Sequence, residues 1–286
     1  MKPISISTGI PQEKFGDRET LRLLAESGFD GADFLLCRHH ALALPEEEMN
    51  RYFSELRAYA DSLGLRIFQT HGLLVGYGPD EQQNALTLET AKRQLTASGI
   101  LGAEHCVLHS ARAYQWGYDA PVEKVQDANR RMYEALIPTA EKAGVSLCLE
   151  SLGRTKVNEV IGPEFHADPH LLIADHDVLP TEKKGICLDT DHCFCVMDYG
   201  YPDSAETVRL FGSRLKTLHL SDSDGRAKYH QPPGIGKIGW EELFRALDDI
   251  GYSGVYNFEL YLPKDDSLES EIRRLGKYLR EFVSRY

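Results

Sequence analysis

A (β/α)8 TIM barrel of the α/β class is the fold this sequence predicts, and three observations carry the prediction. The first is a recurring phrase of amphipathic helix, glycine and short strand. The second is four potential metal ligands at the ends of short apolar runs: Glu150 closes Ser-Leu-Cys-Leu-Glu, Asp189 closes Ile-Cys-Leu-Asp, His219 lies in Leu-Lys-Thr-Leu-His-Leu and Glu259 in Tyr-Asn-Phe-Glu-Leu. Their intervals of 39, 30 and 40 residues each correspond to one strand–helix unit. The third is length: the chain has 286 residues, and a barrel of this kind takes roughly 250. Neither a linker nor a low-complexity segment divides the chain, so one domain over residues 1–286 is expected. A doubly wound open sheet is the competing arrangement.

The elements follow in order. The chain enters strand-like alternation at once, in Ile-Ser-Ile-Ser, and the first strand core is 4–8. Gly28 precedes the second, 31–35. Met49, Phe53, Leu56 and Ala60 share one helical face, and Gly64 then precedes the strand 66–71. Gly102 precedes 105–109; Val125, Ala128, Met132 and Leu136 mark the next helical face; and Gly144 precedes 146–150. The remaining strand cores are 185–189, 215–220 and 255–260, the last preceded by Gly251. A glycine just past a helix supplies the left-handed residue that ends it. Most of these strands are apolar on both faces, as strands covered by helices outside and packed side chains inside must be. The longest irregular stretches, around 111–120, 151–168 and 221–238, follow strands and so fall on the catalytic face of a barrel.

Composition narrows the function classes. An apolar fraction of 42% supports a sizeable core. No apolar run approaches the roughly 18–20 residues needed to span a bilayer. The N-terminus lacks a basic region followed by a long apolar one, so a cytoplasmic protein with no membrane association is expected. A formal charge of −12 argues against affinity built on phosphate-backbone contacts, so no nucleic-acid partner is expected. The six cysteines lack paired CxxC spacing and read as reduced. Cys106, Cys148 and Cys187 lie in apolar strands as small buried hydrophobes, while Cys193 and Cys195 suit loop packing.

Three carboxylates and one imidazole are a donor set for a hard or borderline divalent cation, and barrel strands deliver such ligands to one mouth. An end-of-strand carboxylate can equally pair with a neighbouring lysine. That explanation serves Glu150 or Glu259 singly and fails for four matched strand ends. A cation bridging a carbonyl and the adjacent hydroxyl acidifies the intervening C–H by stabilising an enediolate. One carboxylate in reach can then take the proton and a second can return it.

Asp189-Thr190-Asp191-His192 resembles the Asp-Thr-x-His signature of the sugar isomerase/epimerase superfamily, the xylose isomerase-like barrels. Leu218-His219-Leu220-Ser221-Asp222 resembles its strand-seven metal histidine, and His230-Gln-Pro-Pro-Gly-Ile-Gly-Lys-Ile-Gly-Trp240 its His-x-x-Pro-Gly-x-Gly-x-Ile-x-Trp segment. The similarity covers nearly the whole chain and is sharpest over the last four strands. It implies that Glu150, Asp189, His219 and Glu259 are metal ligands, that Glu150 and Glu259 also exchange the substrate proton, and that His192 touches substrate.

His71 and His109 end earlier strands, where each can hydrogen-bond a sugar hydroxyl or be tied to a backbone carbonyl. Class-II apurinic endonucleases share the superfamily and place further zinc ligands at positions matching His71, His109, His192 and His230. Their Asp-x-His pair, however, reads Lys228-Tyr-His230 here. A protonated lysine neither ligates nor tolerates another cation nearby, so one metal ion is expected. Arg154 and Arg226 lie on catalytic-face loops, where a guanidinium can hold a substrate hydroxyl or phosphate. Tyr114, Trp116 and Tyr118 form an aromatic cluster that reads as a lid over the sugar, with Trp116 against the substrate, or else as loop packing. Gly234-x-Gly236 is no phosphate loop, since it lacks the following Lys-Ser/Thr. His39, His40, His166, His170 and His176 lack a metal-like context and read as surface or loop residues.

These readings converge on an isomerase or epimerase dependent on one divalent ion (Mn, Zn, Co or Mg) and acting on a sugar or polyol-derived small molecule. A dehydratase of the inosose or dehydroshikimate type uses the same enediolate to expel a β-hydroxyl and stays open. So do a zinc phosphodiesterase for damaged DNA and a catalytically silent sugar-binding barrel. Homo-oligomerisation is left open.

Overall fold

The computed structural model of the chain describes residues 2–117, 120–157, 159–225 and 229–286. Its strands are β1 (Ile4–Ser7), β2 (Gly31–Leu35), β3 (Arg66–His71), β4 (His105–Leu108), β5 (Ser146–Glu150), β6 (Arg154–Val157), β7 (Val160–Pro163), β8 (Lys184–Asp189), β9 (Leu215–His219) and β10 (Tyr256–Phe258). Eight of them form one parallel sheet in the order β10-β1-β2-β3-β4-β5-β8-β9. Leu220 closes β9 onto β10: its N–H donates to Asn257 O at 2.8 Å, and its carbonyl accepts from Glu259 N at 3.1 Å. The fold is the expected TIM barrel, and each of the eight expected strand cores appears, three with the same ends and the rest with ends moved by one or two residues. One feature differs. The stretch 151–168 contains β6 and β7, an antiparallel hairpin with Thr155 opposite Gly162 and Val157 opposite Val160. Its four-residue strands are half-exposed and too short to stand out as a period-two pattern.

The helices are α1 (Gly9–Phe15), α2 (Asp17–Glu26), α3 (Glu46–Ser62), α4 (Glu81–Leu101), α5 (Val122–Ala143), α6 (Pro169–Asp177), α7 (Thr190–Val196), α8 (Ser204–Phe211), α9 (Trp240–Asp249) and α10 (Leu268–Val283). Both helical faces read from the sequence are buried: Met49, Phe53, Leu56 and Ala60 on α3, and Val125, Ala128, Met132 and Leu136 on α5. Gly28, Gly64, Gly102, Gly144 and Gly251 all have φ between 68° and 86°, the left-handed conformation that stops each helix before its strand. No helix among the described residues is long and apolar enough to cross a membrane.

Strand alternation sorts the side chains into two sets. Ile4, Ile6, Phe34, Leu108, Leu147, Leu149, Ile186, Leu188, Leu218 and Phe258 point outward into one continuous core beneath the helices. The inward set is different in kind. Val107, Cys148 and Cys187 make a small separate apolar cluster. Ser5, Asp33, Gln69, Thr217 and Asn257 are polar, yet at most 3% exposed. Two residues further along their strands come His71, His109, Glu150, Asp189, His219 and Glu259, so the candidate site is the top of the barrel's own interior.

His166 departs from its expected surface or loop role, being completely buried with its Nε2 3.0 Å from Asp175. The same carboxylate accepts from Asn129 Nδ2 at 2.7 Å, and Asn129 Oδ1 accepts from Ala111 N at 2.7 Å. A polar residue this deep is stable because it is hydrogen-bonded. The cluster ties the loops after β4 and β5 to α5 and α6.

Candidate metal and acid/base site

Asp189 shows how the sequence builds the site. It ends β8 and is also the N-cap of α7, its Oδ1 accepting from His192 N at 2.9 Å. Its Oδ2 is buried, has no hydrogen-bond partner among the described residues and faces Nδ1 of His192 at 3.8 Å and of His230 at 4.0 Å. Thr190 pins the next strand, its hydroxyl donating to Ser221 O at 2.7 Å and accepting from Ser221 N at 2.9 Å. The first turn of α7 then brings His192 Nδ1 to 2.9 Å from Ser151 O and 3.5 Å from Glu150 Oε1. The Asp-Thr-x-His string is thus a helix cap, a strand clasp and an inward imidazole in consecutive turns of chain.

His219 is the centre of the cluster. Its Nδ1 lies 3.0 Å from Glu150 Oε1 and 2.9 Å from Glu259 Oε2. The other oxygen of Glu150 is 2.9 Å from His109 Nε2 and 3.3 Å from His71 Nε2. Donor atoms of His71, Glu150, His219 and Glu259 all lie within 4.8 Å of one another, and those of Asp189, His192 and His230 form an adjoining group. The structure therefore brings all four expected ligands to one mouth, with His71 joining Glu150, His219 and Glu259 in one group and Asp189 in the adjoining one. Glu150, Asp189 and His219 are completely buried, whereas about a quarter of the Glu259 side chain (26%) remains open.

The electrostatics suit a cation. Burial opposes charge on Glu150, but His219, with His109 adding to its effect, outweighs burial and holds this carboxyl well below the usual range. Glu259 is likewise held low against burial, chiefly by His219. Burial dominates at Asp189 and pushes its carboxyl up. At His192, burial is overcome by Asp189 and Glu150, which push the imidazole up to about 9. For His109 burial prevails, and its pKa falls. Glu150 Oε2, Asp189 Oδ2, His71 Nδ1 and both ring nitrogens of His109 are buried and lack well-formed hydrogen bonds among the described residues. Buried polar atoms left that way are costly, and a divalent cation would satisfy the carboxylate oxygens among them. The donor set fits a hard or borderline ion.

Two cavities adjoin the cluster, with His230 lining both. One of about 600 Å³ is bounded by Arg154, Lys156, Asp191, His192 and Tyr229, and one of about 240 Å³ by His71, Glu259, Leu35 and Tyr261. Arg154 opens the hairpin and donates from Nη2 to Gly225 O at 2.7 Å, at the edge of the larger of these two cavities. Trp116 sits further out, in the turn Ala113–Trp116, packed against the core with Lys124 Nζ 5.9 Å from its ring. Its loop is held by Arg112, which donates to Leu74 O at 2.7 Å and to the Tyr114 hydroxyl at 3.1 Å. Arg226, Lys228 and Tyr118 lie outside the described residues.

Sequence reading passed over Asp222, which explains the glycine-rich segment. Its Oδ1 accepts from Ser223 N at 2.9 Å and Ile238 N at 3.1 Å; its Oδ2 accepts from Gly234 N at 2.7 Å and Trp240 Nε1 at 3.0 Å. The loop wraps a protein carboxylate where a phosphate loop would wrap a ligand. A Cβ on Gly236 would meet Asp222 Oδ1 and Ser223 O at 2.3 Å, so only glycine fits. Asp222→Asn puts an amide NH2 against two of these donors and is expected to destabilise the fold by about 2 kcal/mol or more. Chemical denaturation checks this, and Gly236→Ala should lower the midpoint in the same direction.

Comparison with known proteins extends these observations. The family model described as xylose isomerase-like TIM barrel matches residues 21–282. Fructoselysine 3-epimerase of Escherichia coli O157:H7 is 26% identical over 244 residues, covering 82% of each chain. D-psicose 3-epimerase of Agrobacterium fabrum is 25% identical over 271 residues, 91% of this chain and 84% of its own. In fold, the chain superposes on a crystal structure of the IolI protein with a bound zinc atom at a TM-score of 0.79, with 19% identity over 100% of this chain and 99% of that one.

Proposed function

Because the chain belongs to the xylose isomerase-like TIM barrel family, we propose that it is a divalent-metal-dependent sugar isomerase or epimerase that moves a proton at the carbon beside a carbonyl, with Glu150 and Glu259 as the acid/base pair. The observation that carries the reading is the approach of both carboxylates to one imidazole nitrogen, Nδ1 of His219, at 3.0 and 2.9 Å. Glu150, Asp189, His219 and Glu259 would hold the ion, which when bound supplies a Lewis acid for the substrate oxygens.

The chain's own residues account for the remaining steps. Glu150 and Glu259 are ionised at neutral pH, so either can accept a proton from carbon and the other, once protonated, can return one. Glu259 meets the substrate from the open side of the mouth, and the buried Glu150 from its floor. His192 carries a positive charge and faces the larger cavity, where it and Arg154 orient substrate oxygens. His71 and His109 bear on the opposite oxygen of Glu150 and hold that carboxylate in place. The named relatives support ketoses as substrates: carbon 3 of a 2-ketose lies beside the carbonyl, so 3-epimerisation is a case of this proton transfer.

The test is incubation of Mn- or Co-loaded protein with D-fructose, D-psicose and D-tagatose in deuterium oxide, followed by NMR. The expected result is an epimer or isomer carrying solvent deuterium at the carbon beside the carbonyl. Elimination of water would reassign the protein to the dehydratases. Nicking of abasic DNA without ketose turnover would reassign it to the phosphodiesterases.

A further inference from the structure

The interior of the barrel below the site is unusual in chemistry. Inward positions of TIM-barrel strands are dominated by bulky aliphatic residues, which pack without polar atoms to satisfy. Here five strands contribute Ser5, Asp33, Gln69, Thr217 and Asn257 instead. These residues satisfy one another. Ser5 Oγ donates to Asn257 Oδ1 at 2.7 Å, and the Thr217 hydroxyl donates to Gln69 Oε1. Asn257 Nδ2 and Gln69 Nε2 each donate to Asp33 Oδ2 at 3.1 Å. Every bond in the network leads to one fully buried carboxylate.

That carboxylate lies against the central histidine. Asp33 Oδ2 is 3.1 Å from Nε2 of His219, while Nδ1 on the other edge of the ring faces Glu150 and Glu259. The contact is bent away from an in-line hydrogen bond, and His219 Nε2 has no well-formed hydrogen bond to any other group among the described residues. Asp33 Oδ1 is also buried with no hydrogen-bond partner among the described residues, so the carboxylate has acceptor capacity to spare. A register shift between Ala32 and Asp33 makes the placement possible: Ala32 pairs with Ile67 but Asp33 with Gln69, which sets the two side chains level. An isolated buried carboxylate costs several kcal/mol. A hydrogen-bonded one beneath a ligand histidine has a recognised use, since an acceptor on the second nitrogen fixes the ring's tautomer and orientation.

We infer that Asp33 is a positioning residue: held by Gln69 and Asn257, it keeps the proton of His219 on Nε2 and presents Nδ1 to a divalent cation. This rests on the metal-dependent reading above and adds to it which nitrogen ligates and what holds the ring. Asp33 touches neither substrate nor reacting atoms in this scheme.

The test measures metal binding rather than turnover. Cobalt(II) is titrated into wild type, Asp33→Asn and Thr217→Val, with chelator competition for affinity and the visible spectrum for ligand field. Thr217 reaches Asp33 only through Gln69, so its variant removes one bond of the network while leaving the Asp33 carboxylate and its contact with the His219 ring in place. Asp33→Asn is expected to weaken cobalt binding roughly 10–100-fold with an altered spectrum, and Thr217→Val to stay close to wild type. Equal affinity in wild type and Asp33→Asn, or an equal loss in Thr217→Val, overturns the inference and leaves the metal-dependent reading standing. A wild type that binds no cobalt removes both. Should Asp33→Asn not fold, long-range 1H–15N spectra of 113Cd-loaded wild type decide: cadmium coupling to Nδ1 of His219 with the proton on Nε2 supports the assignment, and coupling to Nε2 overturns it.

Discussion

Glu150→Gln and Glu259→Gln are each expected to lower turnover by roughly 10²-fold or more while the protein still binds its metal. On the proposed mechanism, alanine at either position would remove a ligand and an acid/base group together. Glutamine separates the two roles, because its carbonyl can coordinate but accepts no proton at neutral pH. The sites are unequal, Glu150 being completely buried and Glu259 partly open, so the variants should also differ in kind. One should still exchange a substrate proton with deuterated solvent from a single face without completing the reaction. That variant identifies the glutamate that removes the proton. Near-normal turnover by either metal-loaded variant would show that residue to be a ligand only.

Metal removal should have the larger effect. Exhaustive chelation is expected to abolish turnover, and restoring a divalent ion should recover it with a stoichiometry of about one per chain. The charge balance gives the reason. Glu150, Asp189 and Glu259 converge on the barrel mouth, and without a cation their neutralisation falls to the surrounding histidines. The same binding free energy should raise the thermal midpoint of the folded protein, as any ligand specific to the native state does. Elemental analysis showing two or three tightly held zinc ions would favour the phosphodiesterase reading. Turnover unchanged after verified removal would end the metal-dependent one.

Much of the fold was legible because it is written in local signals. The five glycines at helix ends, the buried faces of α3 and α5 and the apolar strand cores each follow from backbone sterics or from periodic burial acting within a few residues. Strand-end positions of Glu150, Asp189, His219 and Glu259 were legible for the same reason, since a barrel turns regular spacing along the chain into convergence at one mouth. The hairpin of β6 and β7 was not, because its short, half-exposed strands lack a period long enough to read. Nor was the burial of His166, whose partner Asp175 lies on α6 and is itself held by Asn129 of α5.

The sequence by itself therefore determined the barrel, the eight strand cores and which side chains reach its mouth. Only the tertiary structure decided how those side chains divide their work. Asp189 caps α7 with one oxygen and turns the other toward His192 and His230; Asp222 draws the glycine-rich loop around itself; Asp33 comes level with Gln69 and beneath His219 through a one-residue register shift. These outcomes depend on register and on partners brought together across the barrel. A hydrogen bond is a matter of tenths of an ångström and of angle, and spacing along a chain carries neither.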